Sequence, residues 1–341
     1  MNSRAAALAL GFSSAGHFFA HLLMLLYPTV VLALEGRWGM SYGDLLSLSL
    51  GGFVLFGLGA LPAGWLGDRW SDEGMMVVFF IGTGGAAIAT GLTGGPVALA
   101  LGLATIGLCA ATGLALLFCI RGGREVAARI ENRPEPEAAR SDVVRTFIVL
   151  SFTMLADGTI SQAIPVALPK AFAAGLTGLT DGGTLDAGGF VTLVFLVAAT
   201  AQLVGGWLAD RFALKAVYVF AWAVQVPLFC IAAQARDVPL LAAMIAVNYL
   251  GVLSVPAENA LLARDSPAHW RATAFGAKFL LALGVSTIGV KLVAVIYDGA
   301  GSFAPLWLTL AGCAAFVAAA GLFLPGRLRR LSPVLATQPA E

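Results

Sequence analysis

Charge is scarce in this chain. Lys+Arg number 20 and Asp+Glu 19, so 11% of the 341 residues are charged while 59% are hydrophobic. An ordinary soluble domain carries about 25% charged residues, and a water-soluble fold of this length could not coat itself with so few. The two signs nearly cancel, at a formal net charge of +1. That removes the electrostatic basis for binding nucleic acid or another acidic polymer. Histidine is rarer still, with 3 in all. The cysteines Cys109, Cys119, Cys230 and Cys313 fall inside apolar runs and form no Cys-x-x-Cys pair. They read as small core residues rather than metal or redox groups. His17 and His21 lie one helical turn apart, which suits a hydrogen-bonded helix contact, a proton or substrate role, or a metal. No carboxylate stands near them, so neither a metal nor a cofactor is expected. Enzymatic chemistry is equally undersupplied. An iron site of the desaturase kind needs many histidines, and Gly11-Phe-Ser-Ser14 beside His17 has no oxyanion scaffold in view.

What the chain has is apolar length. Segments of about 20 apolar residues, enough to cross a hydrocarbon core as a helix, recur from end to end. Spanning backbone must be helical or a closed barrel. Barrel strands alternate apolar and polar residues, whereas runs such as Leu193–Ala199 and Ala311–Leu324 do not. The fold class is therefore all-α: a polytopic helical membrane protein. Gly, Pro and charge clusters divide it into about ten spans, near 8–34, 44–66, 75–94, 97–120, 144–170, 188–209, 213–234, 238–262, 270–297 and 302–325. The stretch from Arg4 to Glu35 is too long for a cleaved signal peptide.

Basic residues orient the spans. With the N-terminus inside, one face collects Arg4, Arg69, Arg121, Arg124, Arg129, Arg133, Arg140, Arg145, Arg211, Lys215, Arg264, Arg271, Arg327, Arg329 and Arg330. The other receives little beyond Arg37, Lys170 and Arg236. Both termini are thus expected in the cytoplasm, and the chain in a bacterial inner (plasma) membrane. Residues 121–143, with Arg133-Pro-Glu-Pro-Glu137, read as a cytoplasmic linker. Residues 331–341 read as a disordered tail. The Gly- and Thr-rich Ala174–Gly189 reads as an outer loop.

One polar turn is written twice. Gly64-Trp-Leu-Gly-Asp68-Arg69 returns about 140 residues later as Gly206-Trp-Leu-Ala-Asp210-Arg211, each time between two long apolar segments. Internal repetition of this kind marks transporters built from related halves. The turns resemble the cytoplasmic signature of the major facilitator superfamily, Gly-x-Leu-(Ala)-Asp-Arg-x-Gly-Arg-Lys. The later copy matches through Gly206, Leu208, Asp210, Arg211 and Lys215, with Ala213 in place of the second glycine. The earlier keeps Gly64, Leu66, Asp68 and Arg69 but has Ser71, Asp72 and Glu73 where glycine and basic residues belong.

The resemblance implies a pseudo-symmetric two-bundle fold and gives these residues a gating role at the cytoplasmic face. An aspartate there meets the positive end of a neighbouring helix; for Asp68 the expected partner is the start of the ninth span, near Arg271–Ala274. The family usually has two groups of six helices with hinges about two hundred residues apart. The spacing here implies a first half two helices short, about 4 + 6. On this division residues 1–120 form a reduced bundle, 121–143 the linker and 144–330 a six-helix bundle. The fourth- and fifth-helix signatures of the family are absent, which makes oligomerisation a possible way of completing the wall.

Ionisable groups inside spans are costly and mark candidate sites. Asp157, in Met154-Leu-Ala-Asp-Gly158, is mid-span with Gln162 about a turn on, and is the best-placed carboxylate for proton coupling. Glu258, in Pro256-Ala-Glu258-Asn259, is expected to pair with Lys278 or Arg264. Lys278 is deep enough to face a cavity, whereas Lys291 is expected to snorkel outward. His21 and Asn248 complete the candidate set for substrate or proton binding. Trp38, Tyr42 and Tyr297 read as interface anchors.

These features imply a secondary carrier for a small organic solute, coupled to protons, with export left open as a direction. The alternative is a non-transporting interaction or assembly protein on a reduced transporter scaffold. The expected partners are a small molecule, H+ and the lipid bilayer, with no nucleic acid.

Overall fold

The computed structural model describes residues 3–70, 72–119, 140–179, 184–266, 278, 281 and 286–326. Before residue 120 come α1 (Ser3–Trp38), α2 (Tyr42–Ser47), α3 (Leu50–Arg69), α4 (Asp72–Gly91) and α5 (Pro96–Cys119). After residue 139 come α6 (Arg140–Gly175), α7 (Thr184–Arg211), α8 (Leu214–Ala232), α9 (Asp237–Asp265), α10 (Ser286–Ala300) and α11 (Ala304–Gly321). Among the described residues every regular element is a helix. Among these residues seven segments are long and apolar enough to cross a membrane. The chain is an integral membrane protein, and its surface agrees: Ile81, Leu92 and Leu203 are 72%, 84% and 80% exposed, a hydrophobic exterior that only lipid would accept. Residues 121–139 of the expected linker, the tail 331–341 and the segment Arg271–Ala274 lie outside the described residues.

Helix ends follow local chemistry. Gly39 (φ 61°) closes α1 and Gly301 (φ 64°) closes α10; their amides return to the carbonyls of Glu35 (3.0 Å) and Tyr297 (2.8 Å). This left-handed cap costs glycine little. The α4–α5 turn uses Gly95 followed by Pro96 at the first helical position, where the missing N–H is harmless. The expected span 44–66 is broken in two. Ser41 Oγ accepts from the Asp44 amide at 3.1 Å and starts α2. Ser47 and Ser49 then donate to the carbonyls of Gly43 and Leu46, both at 2.7 Å. Hydroxyls that compete for helix carbonyls bend helices, and α2 ends before α3 begins.

In the first half α5 is the centre, packed on both α3 and α4. Its contact with α3 is backbone on backbone: a Cβ at Gly52 would stand 2.7 Å from the Leu103 carbonyl oxygen, and one at Gly107 would strike the carbonyl of Gly52. Small residues permit this approach where no hydrophobic drive exists between helices in lipid. The second half carries most of the large buried side chains, Trp222, Trp307, Tyr218, Phe172 and Phe229 among them. There α9 packs on α7 and α8, α11 on α8 and α6, and α10 on α6.

Gly107→Leu is expected to force α3 from α5 and destabilise the fold by about 2–4 kcal/mol, the range of severe core substitutions. Thermal unfolding of purified protein in detergent, followed by tryptophan fluorescence, measures it; Gly84→Leu, in open space on α4, serves as the neutral control.

Candidate functional site

The interior of the second half holds a cluster of ions. Glu258 sits on α9 one turn before the helix's last stretch, with Asn259 beside it. Lys278 Nζ lies 2.5 Å from Glu258 Oε1 and donates to Asn259 Oδ1 at 2.6 Å. The pair is deeply buried, with side-chain exposures of 2% for Glu258 and 10% for Lys278. Asp157, half-buried on α6, stands within electrostatic reach of both. Glu258 takes the ammonium directly, and with Asp157 also ionised the trio would carry one net negative charge, which a cation or a proton would neutralise.

The cluster continues along α6 and α9. Thr146, Thr153 and Asp157 share one face of α6 by their spacing of seven and four. Thr146 Oγ1 donates to Asp265 Oδ2 at 2.8 Å, and Asp265 lies two turns from Glu258 on α9. Arg264 gives both its bonds, at 2.8 and 2.9 Å, to Asp265. Lys278, and not Arg264, is thus the partner of Glu258.

A second polar assembly fastens the two halves together at the end of the bundle that carries Glu35. Lys170, on α6, donates to Glu35 of α1 and lies over the rings of Tyr42 and Tyr297, at 5.4 and 5.5 Å from their centroids. Such cation–π contacts strengthen with desolvation. Tyr42 is buried and donates to the Val166 carbonyl at 2.8 Å. Asp298 of α10 accepts from Ser41 Oγ at 2.7 Å and from the Gly43 amide at 3.0 Å. A side chain at Gly43 would collide with that carboxylate. Tyr27 adds a bond to the Leu45 carbonyl. The short α2 is held by both halves. Tyr42 and Tyr297 are therefore not mere interface anchors.

The repeated turn falls at the ends of α3 and α7. The side chains of Gly64, Asp68 and Arg69 lie outside the described set. In the later copy Lys215 donates to the carbonyls of Leu322 and Leu324 at 2.6 and 2.9 Å, and Arg145 donates to Phe323. Two cations thus satisfy carbonyls just past the end of α11, at its negative pole. Arg211 lies 4.4 Å from the Trp207 ring centroid, on its own helix. Gly206 has open space beside it, and Asp210 is exposed.

Of the remaining sequence candidates, Gln162 lies against α10, its Cβ 3.0 Å from where a Cβ at Gly289 would be. Asn248 donates to the Met244 carbonyl of its own helix at 2.8 Å. His21 is exposed on α1. Lys291 is exposed, 3.4 Å from Ser47 Oγ. Among the described residues no group of three His, Cys, Asp or Glu could hold a metal ion. Sequence reasoning missed Glu35, Lys170 and Asp298 as a set, because nothing in their spacing pairs residues more than a hundred positions apart.

No family model matches the sequence, and no curated protein matches it. Solved structures do. A bacterial homolog of the human lysosomal transporter Spinster, inward-facing and occupied, superposes with a TM-score of 0.66 at 13% identity, over 95% of each chain. The peptide transporter POT gives 0.65 at 13%, over 93% of each chain. The D-xylose-proton symporter gives 0.63 at 15%, over 94% of this chain and 97% of that one. The Escherichia coli fucose:proton symporter FucP gives 0.53 at 15%. The chain has the major facilitator fold.

Removing one partner of the buried pair should be worse than removing both. Lys278→Met is expected to destabilise by about 3–5 kcal/mol through the stranded Glu258, and Lys278→Met with Glu258→Gln to recover most of it. Detergent thermal melts of the four proteins of the cycle supply the comparison.

Proposed function

We propose that this chain is a secondary carrier that moves a small organic solute across a bacterial inner membrane in step with protons. Asp157, Glu258 and Lys278 form the coupling site. The observation that carries the proposal is the buried Glu258–Lys278 pair with Asp157 in reach, inside a fold shared with sugar:proton and peptide transporters. A proton taken up by the trio cancels its surplus negative charge, and its departure restores it. Solute binding that favours one of these states over the other links flux to the proton gradient.

The distribution of basic residues supports a cytoplasmic position for the two repeated turns and for both termini. The Lys170–Glu35 end then faces outward, and the plug made by α2 closes the path on that side. Alternating access releases this latch while the opposite end closes. The bundles are unequal, residues 1–120 against 144–330, with 121–143 as the link between them. A shortened first half also supports a second reading, a non-transporting assembly protein on this scaffold; a stable co-purifying partner without any gradient-driven flux would select it.

The direct test is flux in proteoliposomes under an imposed pH gradient, with labelled D-xylose, L-fucose and a dipeptide as probes. Gradient-driven movement of at least one probe is expected, with Asp157→Asn reducing it about 100-fold, as losing a proton-transfer group does. Equal flux in the variant removes Asp157 from the mechanism.

The latch has its own readout. Spin labels at the exposed Gly36 and Gly299 should report a single short distance in the unaltered protein. With Asp298→Ala the distribution should gain a longer component, measured by double electron–electron resonance. An unchanged distribution would deny the plug any part in holding the halves.

A further inference from the structure

The ion pair that joins the halves stands in an aromatic corner. Lys170 Nζ lies 5.4 Å from the ring centroid of Tyr42 on α2 and 5.5 Å from that of Tyr297 on α10. The two rings meet edge to face at 5.1 Å. Phe303 backs them both, at 6.2 Å from Tyr42 and 4.6 Å from Tyr297, and Trp307 stacks on Phe303 at 6.0 Å. The wall is fixed, because Tyr42 is buried and its hydroxyl donates to the Val166 carbonyl at 2.8 Å. The rim is acidic. Glu35 pairs with the ammonium. Asp298, next in sequence to Tyr297, is met among the described residues by two neutral donors, Ser41 Oγ and the Gly43 amide. The corner is also open to solvent: the side chains of Lys170 and Glu35 keep 20% and 22% exposure, while Tyr42, Phe303 and Trp307 behind them are buried.

We infer that this corner recognises an organic ammonium ion, and that Lys170 is a tethered stand-in which such a solute displaces. The inference rests on the carrier reading above and names its substrate class. Aromatic faces beside a carboxylate suit alkylated ammonium ions, the ligands that aromatic cages bind. A lysine ammonium is a poorer occupant, being compact, strongly hydrated and carried on a flexible stem. Fastening alone does not call for it, since neutral bonds from Ser41, Gly43 and Tyr42 already join the same elements. Displacement has a mechanical result. Lys170 is on α6 and Glu35 on α1, so an ammonium that takes the carboxylate and the ring faces removes the ion pair between the halves. Solute arriving from the side proposed as outer thereby loosens the end it enters. Its leverage on the closed–open equilibrium equals its preference for the vacated corner.

The test uses the full chain in detergent micelles, with tetramethylammonium chloride as the probe and sodium chloride at equal ionic strength as the control. Binding is followed by broadening of the probe's proton resonance. The unaltered protein is expected to bind the probe at roughly millimolar concentration, against a competitor on a short tether. Lys170→Met keeps the stem and removes the charge, and should bind about 10-fold more tightly because no tethered ammonium competes. Adding Tyr297→Leu to that variant should weaken binding about 10-fold, and sodium should not displace the probe. Absence of binding to a folded Lys170→Met protein overturns the inference and leaves Lys170 as a fastener. So does binding that Tyr297→Leu leaves untouched, which would place the probe elsewhere. Should Lys170→Met fail to fold, the unaltered protein decides. Tetramethylammonium should then lengthen the distance between spin labels at Gly36 and Gly299 where sodium chloride does not, and an unchanged distance overturns the displacement. Failure of the carrier reading looks different: binding without proton-driven flux of any solute sinks transport and upholds the corner, whereas flux without binding keeps the carrier and sinks the corner.

Discussion

A charge placed inside a bilayer has no water to fall back on, and that constraint organises this molecule. Two buried carboxylates of the second half are held by cations, Glu258 by Lys278 and Asp265 by Arg264, with Thr146 also donating to Asp265. The ladder shape follows from helix geometry, since residues seven apart return to the same face. Rungs at Asp265–Thr146 and at Glu258–Lys278 lie on facing helices, with Asp157 beyond them. Unpaired, any of these groups would cost more than a whole apolar contact layer contributes. Paired, and with Asp157 ionised, they leave one negative charge in excess, the charge on which the proposed proton coupling would act.

The two polar assemblies divide the work by position. One lies wholly within the second half, among α6, α9 and Lys278. The other spans the halves through α1, α2, α6 and α10. Helix α6 belongs to both: Asp157 lies near its middle and Lys170 near its end. In the proposed carrier, a helix shared between the ion cluster and the interhelical latch is the route by which a change in protonation would reach the other end of the bundle, without any conformational relay through loops.

The membrane spans were legible because apolar runs have a length scale imposed by lipid, and the repeated turn because it is local in sequence. Both are short-range signals. The Glu258–Lys278 pair was half legible, since depth singled out each residue while the choice between Lys278 and Arg264 depended on helix rotation. What could not be read was long-range. Glu35 meets Lys170, and Ser41 meets Asp298, across the whole chain, and no periodicity encodes such meetings. The break between α2 and α3 was hidden for another reason: its agents, Ser47 and Ser49, are unremarkable in composition and act only through carbonyl competition. In the later turn, Lys215 was singled out by resemblance, while its bonds to carbonyls beyond α11, more than a hundred positions away, had no signal in the sequence.

The backbone contact between α3 and α5 has a mechanical consequence. Most helix pairs meet through layers of side chains that change rotamer and so let the helices slide. Where Gly52 and Gly107 bring main chain against main chain, no compressible layer exists, and the two helices behave as one stiff beam. That beam does not include α1, whose printed ties run instead to α6 through Glu35 and Lys170 and to α2 through Tyr27, so the first half meets the second through a polar joint and not through its stiffest pair.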